Sequence, residues 1–199
     1  MNRIKNALFI AALAATPAAS QQPSPPATTM AAGPWDPASR LAAQREAMRS
    51  LSYMDGVWRG PATTPEQPEP IVQTERIGPL LDGTVKVVEG RGYDRAGRTV
   101  FNALGIISYD PIRRLFMMHS YAMGFAGDFP LEMRPDGYIW SRPLGPGATI
   151  RYTATVRDGE WHEVGDRIVE GAPPQRIFEM RLRRVGPSDW PAGDAVPRQ

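Results

Sequence analysis

The chain has 199 residues, with 42% hydrophobic and 22% charged side chains, which fits one globular domain. It contains no cysteine, which excludes disulfides, thiolate catalysis and thiolate metal sites. The net charge of +2 rests on Arg3 and Lys5. Without that leader the remaining cations equal the 21 acidic residues, and no cationic field is left to suggest nucleic-acid binding.

Arg3 and Lys5 precede a short apolar run, Ala7 to Ala15, which Thr16-Pro17 breaks before Ala18-Ala19-Ser20. That order predicts a secretory signal over residues 1–20, cleaved after Ser20, and a periplasmic or secreted protein. The run is well short of the roughly 20 residues that cross a bilayer, so no membrane span is expected. Residues 21–35 are Pro-, Ala- and Thr-rich and read as a disordered linker. Asp36-Pro37 then suits a helix start, Asp as N-cap and Pro in the first turn. Leu41, Met48 and Leu51 share a helical face, and Asp55-Gly56 sets the end near Met54.

From Gly56 the apolar period becomes two. Ten candidate strands follow: 56–62, 71–77, 84–93, 98–109, 114–123, 129–134, 138–142, 148–157, 160–170 and 175–185. Asp136-Gly137 and Asp158-Gly159 read as tight hairpin turns. The predicted fold is all-β: an antiparallel meander of about ten strands, closed into a barrel over residues 36–185, with one N-terminal helix. Closure hides the edges that so long a meander would expose. Residues 186–199 read as a flexible tail.

Tight turns fix which residues share a face. About Asp158-Gly159, Val156 pairs with Trp161, Ala154 with Glu163 and Tyr152 with Gly165. The more apolar face, with Ile150, Tyr152, Glu163 and Arg167, is assigned to the lumen, and His162 to solvent. About Asp136-Gly137, Phe129, Leu131, Met133, Tyr138, Trp140 and Arg142 share a face. The hairpin 98–123 has two apolar faces. The face carrying His119 and Tyr121 is assigned to the lumen, and the other then lies under the helix or a partner. Val85 and Val87 draw Glu89 and Arg91 inward, where Glu163 and Arg167 would complete a charge network.

The segment Gly56-Val57-Trp58 after a short helix resembles the start of lipocalin-like (calycin) barrels. The resemblance extends to Gly105–Asp110 and to Glu179–Arg184, and so to a bacterial family of such barrels of unknown function. It implies that Gly56 and Trp58 close one end, with Arg183 or Arg184 against the indole. Gly56-Val57-Trp58-Arg59-Gly60 is also similar to the opening of the haem-binding nitrobindin barrels. The last strand lacks the histidine that would hold iron, so haem reduces to a minor alternative that rests on His119.

No nucleophile elbow, P-loop or zinc signature is present. Met117, Met118, Met123 and Met133 around His119 are read as soft core filling, and no metal or cofactor is expected. The expected function is binding of a small hydrophobic or amphipathic ligand in the lumen, with an anionic end near Arg142 and Arg91. The alternatives are an enzyme using a lumen His, Tyr and carboxylate set, and an interaction protein that dimerises through the second apolar face.

Overall fold

The computed structural model describes residues 36–65 and 67–191. The signal segment, the linker and the last eight residues of the tail lie outside the described residues. Helix α1 spans Pro37–Arg49, capped by the Asp36 carboxylate, which accepts from the Ser39 N–H at 2.8 Å. It stops earlier than its pattern predicts. The Ser50 hydroxyl donates to the Ala47 carbonyl, and the chain tightens into a 3-10 turn, Ser52–Met54. Leu41 is exposed, while Met48, Leu51 and Met54 are buried. Only the C-terminal half of the predicted face therefore packs on the barrel.

All ten strands form: β1 (Gly56–Thr64), β2 (Gln67–Leu80), β3 (Val85–Tyr93), β4 (Thr99–Asp110), β5 (Leu115–Ala122), β6 (Phe125–Arg134), β7 (Gly137–Pro143), β8 (Ala148–Arg157), β9 (Glu160–Val169) and β10 (Gln175–Gly186). Each pairs antiparallel with its sequence neighbour, and β1 pairs with β10 to close the barrel. The Asp158-Gly159 turn has both residues at positive φ, 54° and 74°, and the pairs Val156–Trp161, Ala154–Glu163 and Tyr152–Gly165 form. The other Asp-Gly pair behaves differently. Arg134 pairs with Gly137, so Pro135-Asp136 make the turn and Gly137 opens β7. Glycine is required there because a Cβ would lie 1.9 Å from the Ala154 carbonyl oxygen. The face grouping survives, since Met133 still pairs with Tyr138.

The helical end of the barrel is plugged by Trp58, which is fully buried. Its indole N–H donates to the Met54 carbonyl at 2.9 Å. Its ring meets Trp161 edge-on, with centroids 5.9 Å apart. Arg184 lies over the same ring at 4.5 Å and donates to the Tyr53 carbonyl at 2.6 Å. Arg183 instead pairs with Glu160 on the outer surface. Lys86, also buried, pairs with Asp55 between the 3-10 turn and β1. The turn is thus tied to the floor through Trp58, Arg184 and Lys86.

The β1–β10 seam is tight at Gly60, where a Cβ would sit 2.0 Å from the Arg181 carbonyl oxygen. Trp58→Ala should cost about 3–5 kcal/mol by opening a cavity in the floor. Gly60→Ala should cost about 1–3 kcal/mol by forcing the seam apart. Urea unfolding checks both; a Gly60→Ala protein as stable as wild type would contradict the tight seam.

Candidate ligand site in the barrel lumen

Strand register fixes which side chains enter the lumen. Inward positions alternate from Trp58 through its partner Glu75 to Gly90, Ala103 and Ala122, and from Met118 through Phe129 on the far wall. The half of the lumen next to the helix is filled by Trp58, Ile77, Ile107, Met118, Leu131, Tyr138, Val156, Trp161 and Leu182. The other half is lined by Phe129, Trp140, Tyr152 and Phe178, all inward and all partly exposed. An inward side chain of a closed barrel reaches water through the mouth, so these four rings lie at the mouth end. Trp140 and Tyr152 stack at 4.2 Å and 11°. Phe129 and Phe178 flank them at 5.3 and 6.0 Å.

Two carboxyls lie at the boundary between the halves. Glu163 on β9 accepts from the Trp140 indole at 3.1 Å and from the Tyr138 hydroxyl at 3.5 Å. Glu75 on β2 accepts from the Gln73 amide at 2.8 Å. All three of Gln73, Glu75 and Glu163 are buried. The Trp161 indole N–H makes no hydrogen bond. It lies near enough to Glu163 to favour its carboxylate without meeting bond geometry. Burial pushes Glu75 up to about 8, opposed by the Gln73 bond and helped by the charges of Glu163 and Glu89. Burial likewise pushes Glu163 up to about 7, against the bonds from Trp140 and Tyr138 and the nearby Trp161 indole N–H. Tyr138 is raised well above its ordinary value, first by burial and then by both carboxylates. Missing side chains make room for this cluster. A Cβ at Gly90 would meet the Glu75 carboxylate at 2.8 Å, and one at Gly165 would meet Tyr152 at 2.9 Å.

Of the residues expected in the lumen, Trp140, Tyr152 and Glu163 face it, and Arg142 and Arg167 follow the same register at its rim. Four do not. His119 and Tyr121 point outward, both about half exposed, and His119 pairs with Asp128 at 2.6 Å. The face sets of that hairpin follow from Tyr109 pairing with Phe116 and Ile106 with His119, which keeps His119 and Tyr121 on one face as expected. The assignment of faces is reversed. Phe116, Met118 and Ile107 enter the core, and the face whose histidine and phenol tips can reach water stays outside.

Glu89 and Arg91 are also outside. Glu89 pairs with Arg76 at 3.3 Å and with Arg91. The valines that suggested otherwise mislead because Val87 is buried on the outer face, opposite Gly78. Ser188 and Trp190 lie against that glycine, and Arg76 bonds Asp189 and lies 4.2 Å over the Trp190 ring. The start of the expected tail is therefore docked.

Sequence reasoning missed Glu75 and Gln73. Their signal was the alternation Ile71, Gln73, Glu75, Ile77, in register with Trp58. The irregular β1–β2 connection, with a register shift between Ala62 and Thr64, hides that parity in the sequence.

Neither histidine of the chain faces the lumen: His162 bonds Glu179 outside at 2.9 Å. The lumen therefore offers no imidazole to a haem iron. Among the described residues no three His, Asp or Glu side chains gather as a metal site. The second apolar face, on which dimerisation was expected, is turned into the core with Ile107, Phe116 and Met118; the outward face, with Leu104, Tyr121 and Met123 exposed, borders a groove of about 810 Å³ that reaches Phe125 and Trp190.

Compared by sequence, the chain matches no protein-family model and no curated protein. By structure it is similar to Rv2717c from M. tuberculosis, with a TM-score of 0.51 and 12% identity over 69% of this chain and 96% of that one. At that identity the likeness shows the barrel fold alone.

The buried acids set a pH dependence. A carboxyl whose folded pKa is raised binds its proton more tightly in the native state, so stability falls as pH rises from the unfolded value toward the folded one. The window runs from the ordinary carboxyl value of about 4.5 to about 7 for Glu163 and about 8 for Glu75. Glu75→Gln should flatten this slope and raise stability at the alkaline end by on the order of 1–3 kcal/mol. Thermal melts of both proteins from pH 5 to pH 8 provide the check. A slope unchanged by the substitution would show that Glu75 is not its source.

Proposed function

We propose that this protein is an exported binding protein that holds a small amphipathic molecule at the mouth end of its barrel. The observation that carries the reading is the set of inward, partly exposed aromatic rings, Phe129, Trp140, Tyr152 and Phe178, above two buried carboxyls. Apolar walls with a few convergent polar groups are what small-molecule sites share. The anionic ligand end expected near Arg142 and Arg91 is not retained, because Arg91 lies outside, Arg142 stands at the rim and the polar groups deep in the lumen are acids. The outward His119 and Tyr121 likewise take no part in the site. Export rests on the charged, apolar and small-residue order of residues 1–20.

Protein isolated from its native compartment should begin at Gln21 and carry a small molecule visible by native mass spectrometry. Trp140→Ala should remove one stacked wall and weaken binding of that molecule about tenfold, read by calorimetry. A chain that retains Arg3 and Lys5 in the cytoplasm would sink the export reading. A Trp140→Ala protein with unchanged affinity would sink the lumen site.

A further inference from the structure

The polar floor of the lumen is chemically unfinished. Among the described residues neither Glu75 nor Glu163 forms an ion pair. Lys86 is committed to Asp55, and Arg184 to the Trp58 ring and the Tyr53 carbonyl. Glu75 has Gln73 as its one side-chain partner, and the buried Trp161 N–H has no acceptor. Above the carboxyls stand the stacked faces of Trp140 and Tyr152. Aromatic faces carry negative charge density and attract cations. Carboxyls and ring faces thus favour the same sign of charge.

We propose that the lumen ligand is an organic cation, a small amphipathic amine or quaternary ammonium. Its head is held by Glu75 and Glu163, and its apolar part lies along Trp140 and Tyr152. This rests on the lumen-binding reading above and specifies the chemistry of the ligand. The cation supplies the charge that the two buried acids lack. On binding, a protonated carboxyl gives up its proton to solvent, and the resulting carboxylate pairs with the ammonium. An ionised Glu163 is also a stronger acceptor for the indole N–H groups of Trp140 and Trp161.

The other titratable and charged groups around the pair are few. Tyr138 on β7 and Tyr152 on β8 face it, Tyr53 on the 3-10 turn lies near Tyr138, and Glu89 acts from the outer face of β3. Arg142 and Arg167 stand farther out at the rim. None of these supplies a cation to the floor.

The test is calorimetric titration of the mature chain with three probes of one chain length: octyltrimethylammonium, 1-octanol and octanoate. At about pH 8 the ammonium should bind about tenfold more tightly than octanol, and octanoate least. Its advantage should shrink toward about pH 6, and its binding heat should depend on the ionisation enthalpy of the buffer, which reports proton release. Glu163→Gln and Glu75→Gln should each weaken ammonium binding and leave octanol unchanged, with thermal melts confirming that both variants fold. Octanol or octanoate binding as tightly as the ammonium would overturn the cation inference and leave the lumen site standing. So would ammonium affinity that neither Gln variant changes. No binding of any of the three probes would overturn both.

Discussion

The barrel depends on how its floor is sealed, and the seal is one indole. Trp58 is bonded through its N–H to the turn that precedes the barrel, packed edge-on against Trp161 across the lumen, and covered by Arg184 from the strand that closes the cylinder. These three contacts join the helical segment, the first strand and the last strand at a single point. A guanidinium over an indole suits that position. It shields the ring while its N–H groups remain free to bond the Tyr53 carbonyl. With the floor fixed in this way, the strands above it enclose the space that holds the two buried carboxyls.

That space is where the structure departs from what stability alone would select. Two carboxyls lie buried in an aromatic interior, each held far above its ordinary pKa by desolvation. Leucine or methionine at either position would avoid the desolvation penalty. Glycines at 90 and 165 give up their own packing to admit Glu75 and Tyr152. Local conflicts of this kind concentrate at working sites, which is why the lumen is the candidate site.

Much of the architecture could be read from the sequence. The period-two alternation, the short connections and the Asp158-Gly159 turn place ten strands in order, and that turn fixes the face of Glu163. The same rules fail where their premises fail. Period two identifies two faces but not which one is interior, so a hairpin apolar on both sides leaves His119 and Tyr121 undetermined. Val87 resembles a lumen residue because it is buried. It lies on the outer face beside Gly78, and Ser188 and Trp190 pack on that glycine from about 110 residues away, a contact that no local pattern encodes. Glu75 is hidden for a third reason: parity cannot be counted through the Pro65 connection.

Nine of the ten strand pairings join sequence neighbours, and the tenth joins the two ends of the domain. The hairpins can form with short loops closed one after another. The last pairing must bring β1 to β10 across more than a hundred residues, which is the largest entropic step in assembly. Until it is made, the nascent sheet has two unpaired edges, each able to add a strand from another molecule. Gly60, which lets the two backbones approach, and Arg184, which reaches across to Trp58, both lie on this seam. The contacts that seal the floor are therefore also the ones that remove both edges when the barrel closes.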